Sequence, residues 1–471
     1  MSLMTLELSD AGILAAGGQP PKLLGVDGLE TESPGFAIQN KKELLVGQSA
    51  ERQARLHPQK VQHRFWGQLS TDPLKKPGRS AETHAEIAFA HLAQVWENIK
   101  PHGNEVMIAI PSFFNRHQLG LLLGMTQELS IPVKGLMPQA VAAVPHPYPG
   151  SHLLFLDVHL HHTEVTVLAQ GDQLRLEETL TLDELGLIHL FRIWAETIAE
   201  EFVRTTRFDP LHEAASEQVL YDRLPDILNH LQKVPTTAIE LKIDQSVHRI
   251  TLNRDLLANR SESYLKQVSP IINSMWQKTG NQKDDATVLM THRFSLLPGV
   301  TTILDGFEQS RLVKLKIGAS ALNMFQIWDQ LDYPIDSSGA AFFTSRPWQT
   351  TIETDSRQGK IVKSTVRQPT HILCENLAYP ITEIPLFIGP GGSDAHGELV
   401  VGDQSSKDPH HCSVRRIGEE VVLTDSGNRD IFIDDQALES DCIVLHLGQT
   451  VRIETIDAVI RTIVCLKADE S

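Results

Sequence analysis

Between Leu153 and Leu168 the chain reads Leu-Leu-Phe-Leu-Asp157-Val-His-Leu-His-His-Thr-Glu164-Val-Thr-Val-Leu. An apolar run ending in an aspartate, a short polar stretch and then alternating apolar residues describe two antiparallel strands with a tight connection. At 471 residues the chain is long enough for two or three domains. Its 41% hydrophobic and 21% charged residues belong to a globular protein rather than a disordered one. A formal charge of −17 disfavours nonspecific attraction to nucleic acid or an anionic membrane, while leaving room for a local basic patch.

No apolar run reaches the roughly 18–20 residues that span a bilayer. The N-terminus lacks a basic region followed by an apolar core, so no signal peptide is expected and the location expected is cytoplasmic. Cys374, Cys412, Cys442 and Cys465 are widely and irregularly spaced, with no CxxC pair. That spacing argues against a zinc ribbon, and buried thiols are expected over disulfides.

Other segments stand in a telling order around the hairpin. They are Ser9-Asp10-Ala11-Gly12, Glu43-Leu-Leu-Val-Gly47-Gln-Ser-Ala50-Glu-Arg52-Gln53-Ala54, Arg64-Phe-Trp-Gly67, Val106-Met-Ile-Ala-Ile110, Met137-Pro-Gln-Ala140 and Ser338-Gly339-Ala340-Ala341. Together they resemble the nucleotide-binding domain of DnaK-type heat-shock chaperones, members of the actin-like ATPase superfamily. The resemblance implies a two-lobed α/β actin-like ATPase fold over residues 1–345. Lobe I would cover about 1–150 and lobe II about 151–345, each centred on a five-stranded mixed sheet, with a cleft between them.

The same resemblance locates the departures. The family's second phosphate loop is glycine-rich, so that backbone N–H groups close around phosphate oxygens. Here those positions carry His159, Leu160 and His161, with His162 beyond, and Cβ atoms stand where the anion would approach. The catalytic lysine is replaced by His63, which carries no permanent charge at pH 7. The glutamate beside metal and water is replaced by Met137, which cannot hold a hydrated cation. Ile13 and Leu14 replace threonines, and Thr291-His292-Arg293 replaces the paired glycines beside the adenosine. If ATP or ADP binds at all, the candidate contacts are Asp10, Gly12, Asp157 and Gly299.

Asp10 and Asp157 could hold magnesium through water. The competing reading makes them buried turn aspartates that accept backbone N–H bonds, and this one is favoured. On a strand, His159 and His161 would face one side, with His162 and His152 nearby, and their spacing could chelate a metal. No carboxylate partner is identifiable for them, so an ordinary solvent-facing or inter-lobe histidine cluster is preferred.

Helical spacing predicts helices over Glu82–Lys100, Gln118–Leu129 with Asn115 as cap, Leu187–Arg204, Glu213–Gln232 and Arg254–Gln277. Trp66, Trp194 and Trp328 sit in apolar patterns and are expected in the core. Residues 346–369 read as a linker. From Thr370, short apolar runs separated by Gly, Asp and Asn read as an all-β sandwich. Their succession resembles a forkhead-associated (FHA) domain, with His411 and Gly448 at its structural positions. The phosphopeptide contacts of that family fall on Gly389-Pro390, Asp408-Pro409 and Arg429-Asp430-Ile431. Asp408 and Asp430 would repel a phosphate. The expectation is a non-catalytic interaction or scaffold protein with a protein partner. An ATP/ADP-binding regulator and an ATP-driven chaperone are the alternatives, the last weakened by the lack of any stretch resembling a chaperone's peptide-binding domain.

Overall fold

The computed structural model describes Leu3 to Leu331 with short breaks at 41–42, 76–77, 244–245, 282–285, 329–330 and within 301–309, then residues 340–347, and then mainly the strands between Pro369 and Ile463. The protein is mixed α/β and divides into two units, residues 1–350 and 351–471.

The first unit is organised by two sheets that repeat one plan. In the first, Lys22–Leu23, Gly12–Gly17, Leu3–Leu8, Glu105–Ile110 and Val133–Pro138 lie side by side in that order. In the second, the matching order is Gln173–Asp183, His162–Gln170, His152–Val158, Thr287–Met290 and Arg311–Lys314. Each sheet begins with antiparallel strands, and its first strand then pairs in parallel with a later one, which in turn pairs in parallel with the next. The expected five strands are therefore present in each, but both sheets are larger. Ala341–Phe342 and Glu32–Pro34 bring the first to seven, and Ser345–Pro347 brings the second to six. The last strand uses residues 346 and 347 of the expected linker, while 348–368 lie outside the described residues.

Leu3–Leu8, Gly12–Gly17 and nearly all of His152–Val158 are buried at every position. Burial on both faces explains the apolar runs Gly12–Gly17 and Leu153–Leu156, whereas Thr236–Ile243 and Ser246–Asn253, a separate two-stranded hairpin, alternate. Asn115 caps the helix Arg116–Glu128 in a reciprocal capping box with Gln118, an arrangement worth about 1 kcal/mol. A second box, Thr83 with Glu86, starts the helix His84–Ile99.

The helix expected over Arg254–Gln277 is two, Arg254–Arg260 and Glu262–Lys278. The break is at Ser261, whose hydroxyl donates to the Leu257 carbonyl at 2.9 Å and accepts the Trp194 indole N–H at 2.8 Å. A serine bonding back to the carbonyl four residues earlier bends a helix, and here a buried tryptophan makes use of the bend. Trp66 and Trp194 are buried and Trp328 is partly buried against a core cluster. No described helix is long and apolar enough to cross a membrane.

The second unit has two described sheets. One orders Leu377–Pro380, His371–Cys374, Ala458–Ile463, Thr450–Ile453, Ile431–Ile433 and Gln436–Ala437, and the other Glu398–Val400, Leu386–Gly389, Cys412–Ile417, Glu420–Asp425 and Cys442–Leu445. Ile372, Ile431 and Val451 of the first share a core with Ile388, Val414 and Leu423 of the second, so the sheets sandwich their apolar faces. Cys374 and Cys412 are buried in that core. Gly389 ends a strand, but Pro390, Asp408, Pro409, His411, Arg429, Asp430, Gly448 and Cys465 lie outside the described residues, as do Ser338 and Gly339.

Candidate functional site

Two hairpin turns, one from each large sheet of the first unit, meet each other. The first turn, Ser9 to Ala11, is closed by the Ser9 N–H donating to the Gly12 carbonyl at 3.0 Å. The second, His159 to His161, is closed by the His159 N–H on the His162 carbonyl at 2.9 Å. Across the junction the Leu160 N–H donates to Asp10 Oδ1 at 2.9 Å, and Ser9 Oγ lies 3.0 Å from His159 Nδ1. None of residues 159–161 adopts a positive φ. The turn thus lacks the left-handed backbone that lets consecutive N–H groups converge on an anion.

The electrostatics begin with register. Asp157 and Glu164 are direct cross-strand partners, both fully buried, and like charges placed opposite each other repel. His159 answers them. Its Nδ1 is 3.5 Å from Asp10 Oδ1, and its Nε2 is 3.5 Å from Asp157 Oδ2 and 3.6 Å from Glu164 Oε2. Burial alone would depress this imidazole. Asp157, Asp10 and Glu164 overcome that and push its pKa up to about 10, so His159 is a cation at neutral pH. Burial likewise opposes the charge of Asp10, but the His159 hydrogen bond and the Leu160 N–H hold its carboxyl below the ordinary range. Asp157 behaves differently. Burial raises it despite His159, Arg293 and the 2.6 Å bond donated by Thr291 Oγ1.

His162 stacks on His159 with ring centroids 4.5 Å apart, and Phe113 stands edge-on to both rings. Burial and the neighbouring His159 lower His162 to about 4, which leaves it neutral. Asp157 also accepts a backbone N–H, from Val158 at 2.8 Å. Both aspartates thus accept a backbone N–H, Asp10 from its position in the first turn and Asp157 from within its strand.

A second internal cation lies beside the first. Arg293, buried, donates to Glu32 Oε1, and its charge is also felt by Glu7 and Asp157. Glu7 is fully enclosed, accepts the Ser320 N–H at 3.1 Å and is pushed up to about 7 by burial. Gly12 makes the Arg293 pair possible. A Cβ there would fall 2.8 Å from Glu32 Cγ, so the glycine gives the Glu32 carboxylate its passage to Arg293. Gly299, at φ +82°, packs where a Cβ would meet Leu265 and Ala258 at 3.2 and 3.3 Å. Helices fill the space beside it.

His159 and His161 do not face one side. The turn sends His159 among the carboxylates, while His161 stacks on His63 with centroids 4.8 Å apart. His159 and His162 are buried with Asp10 among their acidic neighbours, while His161 is partly exposed, and the group bridges the two turns through Ser9 and reaches His63. His152 is apart from them, 3.0 Å from Glu177. Met137 is fully buried in a core cluster with Ala109 and Phe155. Among the described residues no group of three or more His, Cys, Asp or Glu has the arrangement to hold a metal ion. Of two cavities, of about 460 and 220 Å³, the smaller borders the second turn at Leu160 and His161, and Asp10, Gly12, Asp157 and Gly299 line neither.

Sequence reasoning did not assign roles to Ser9, Glu32, Glu164 and Arg293. For Glu164 the signal was available: Asp157 and Glu164 stand at matching distances from the turn, so pairing places two carboxylates together and demands a counter-charge. No family model matches the chain, and no curated protein matches it.

Proposed function

We propose that the protein is a non-catalytic interaction or scaffold protein built on an actin-like, heat-shock-chaperone-like ATPase fold, followed by an FHA-like sandwich. The repeated plan of the two sheets, with the hairpin turns of each meeting at the junction, supports the actin-like reading. The two-sheet core of residues 351–471 supports the sandwich reading. One observation carries the loss of catalysis. The carboxylates that would face a nucleotide–magnesium complex already have built-in cations as partners, His159 beside Asp10, Asp157 and Glu164, and Arg293 beside Glu32.

Phosphoryl transfer is catalysed mainly by positioning and charge stabilisation, so its machinery has to be open to the phosphates. Here the phosphate loop is a histidine turn bonded to Asp10, the lysine position holds a neutral imidazole, and the glutamate position holds a methionine inside a core. Removing one preorganised electrostatic contact costs about 10²–10³ in rate. Several together leave nothing above the uncatalysed reaction, although such losses do not strictly add.

The expected result is ATP hydrolysis at background rate and no thermal stabilisation by magnesium–ATP at about 1 mM, the concentration equivalent to near −4 kcal/mol. Stabilisation by several degrees that disappears in both Asp10→Ala and Asp157→Ala would establish an ATP/ADP-binding regulator instead. A scaffold also has to retain a protein partner when the intact chain is purified under mild conditions.

A further inference from the structure

The smaller cavity, about 220 Å³, is lined by His63 and Arg64 from one side and by Leu160, His161, Glu184, His189 and Arg192 from the other. In a chain of net charge −17, this is a concentration of cationic and neutral nitrogen donors around a single acid. Gly186 also lines it and starts the 20-residue helix Leu187–Thr206, whose first N–H groups, from Leu187 and Ile188, donate to the His159 and Leu160 carbonyls at 2.8 and 3.0 Å. The single acid is itself informative. Glu184 holds an uncommon left-handed backbone, φ +60°, and places Oε2 2.9 Å from the Arg64 guanidinium. Its side chain is 72% exposed, so this carboxylate can swing out into water. Arg192 is 60% exposed, and its nearest acid, Glu196, is 3.8 Å away.

One imidazole, His63, completes the lining as a donor. His161 Nε2 lies 3.0 Å from the His63 carbonyl, which can only accept, so that nitrogen carries the proton. It is also 2.9 Å from His63 Nδ1, which accepts, leaving the His63 proton on Nε2. Burial first, then His161 and Arg64, lower His63 to about 4, and burial also lowers His161 and His189. The His161 proton is thus already used, and His63 Nε2–H, beside the Arg64 guanidinium, is the donor left for a guest that brings its own negative charge.

We propose that this cavity is a binding site for an oxyanion, a phosphate or carboxylate group held by Arg64 and Arg192, with Glu184 as the resident group that the ligand displaces. The guanidinium fork matches both oxyanion types. The inference goes beyond the scaffold reading and does not depend on it, since it uses neither Asp10 nor Asp157.

The experiment is a titration of the intact chain with inorganic phosphate at constant ionic strength in chloride, following the histidine ring protons by NMR, with acetate as a parallel arm. Saturable shifts of the His63, His161 and His189 signals are expected. Arg192→Ala should weaken binding about tenfold, the loss of one charge-assisted contact, and Glu184→Gln should strengthen it severalfold. Arg192 and Glu184 are exposed, so neither change removes core packing, and unchanged melting of both variants verifies this. Tighter binding of phosphate than acetate would assign the site to phosphate groups, and comparable binding to carboxylates as well. Shifts that do not saturate, or that are the same in Arg192→Ala and Glu184→Gln as in the parent chain, would overturn the proposal.

Discussion

His159→Gln is expected to lower the stability of the first unit by about 3–5 kcal/mol, the usual cost of leaving buried charge without its partner. Glutamine keeps a polar group of similar reach but no charge. Asp157 and Glu164 would then face each other directly across the hairpin, and Asp10 would lose its nearest cation. The sign with pH follows from His159 itself. Its folded pKa is raised to about 10 from an ordinary value near 6.5, so its contribution is complete below about pH 6.5 and is lost as pH rises through about 10. Urea denaturation of parent and variant at pH 6 and at about pH 10.5 should give a wide gap that narrows at the higher pH. A gap below about 1 kcal/mol at pH 6 would show that no imidazolium stands among these carboxylates.

Arg293→Met should cost about 3 kcal/mol or more at neutral pH, on the same ground. Methionine replaces much of the buried stem, so packing changes little and the lost term is charge against Glu32, Glu7 and Asp157. Glu7 makes this deficit pH-dependent. Its folded pKa is raised to about 7, above the ordinary carboxylate value, so protonation of Glu7 favours the folded state. That contribution is complete below about pH 4.5 and is lost as pH rises through about 7. In the variant nothing offsets the ionised carboxylates, and the deficit should shrink between pH 7.5 and pH 5. Denaturation midpoints at both values measure it. An equal deficit at the two pH values would mean that Arg293 acts through packing instead.

Much of the fold was readable because it depends on local pattern. The hairpin from Leu153 to Leu168, the strand Leu3–Leu8 and the Asn115 cap each follow from residues within a few positions of one another. The break at Ser261 was not readable, since its cause is the indole of Trp194, 67 residues away. The same limit applied at the site. Asp10 and Asp157 stood out as single residues, and their bonding to backbone was anticipated. What could not be read was that His159 would be their counter-ion, because a turn that reverses at residues 159–161 parts His159 from His161 in a way that strand alternation does not. The placement of Arg293 on Glu32, 261 residues away, depends on how the two sheets come together.

The edge strands Ala341–Phe342 and Ser345–Pro347 also have a bearing on synthesis. The first completes the sheet begun by Leu3–Leu8, pairing in parallel with Val133–Pro138, and the second completes the other sheet by pairing with Gln173–Asp183. Each half of the unit therefore waits for residues made much later, from Gly135 to Ala341 in the first and from Gln173 to Pro347 in the second. A nascent chain leaves the ribosome N-terminus first at about 5–20 residues per second, so both sheets keep an open edge for roughly ten seconds or more. Pairings of such long sequence separation also form slowly, because loop closure precedes any reward in contacts. During that interval Val133–Pro138 and Gln173–Asp183 present bare strand edges to the surroundings, the condition under which chains associate wrongly. Residues 341–347 thus act as the closing stitch of the whole unit, and the vulnerable period in the life of this protein is the time before they emerge.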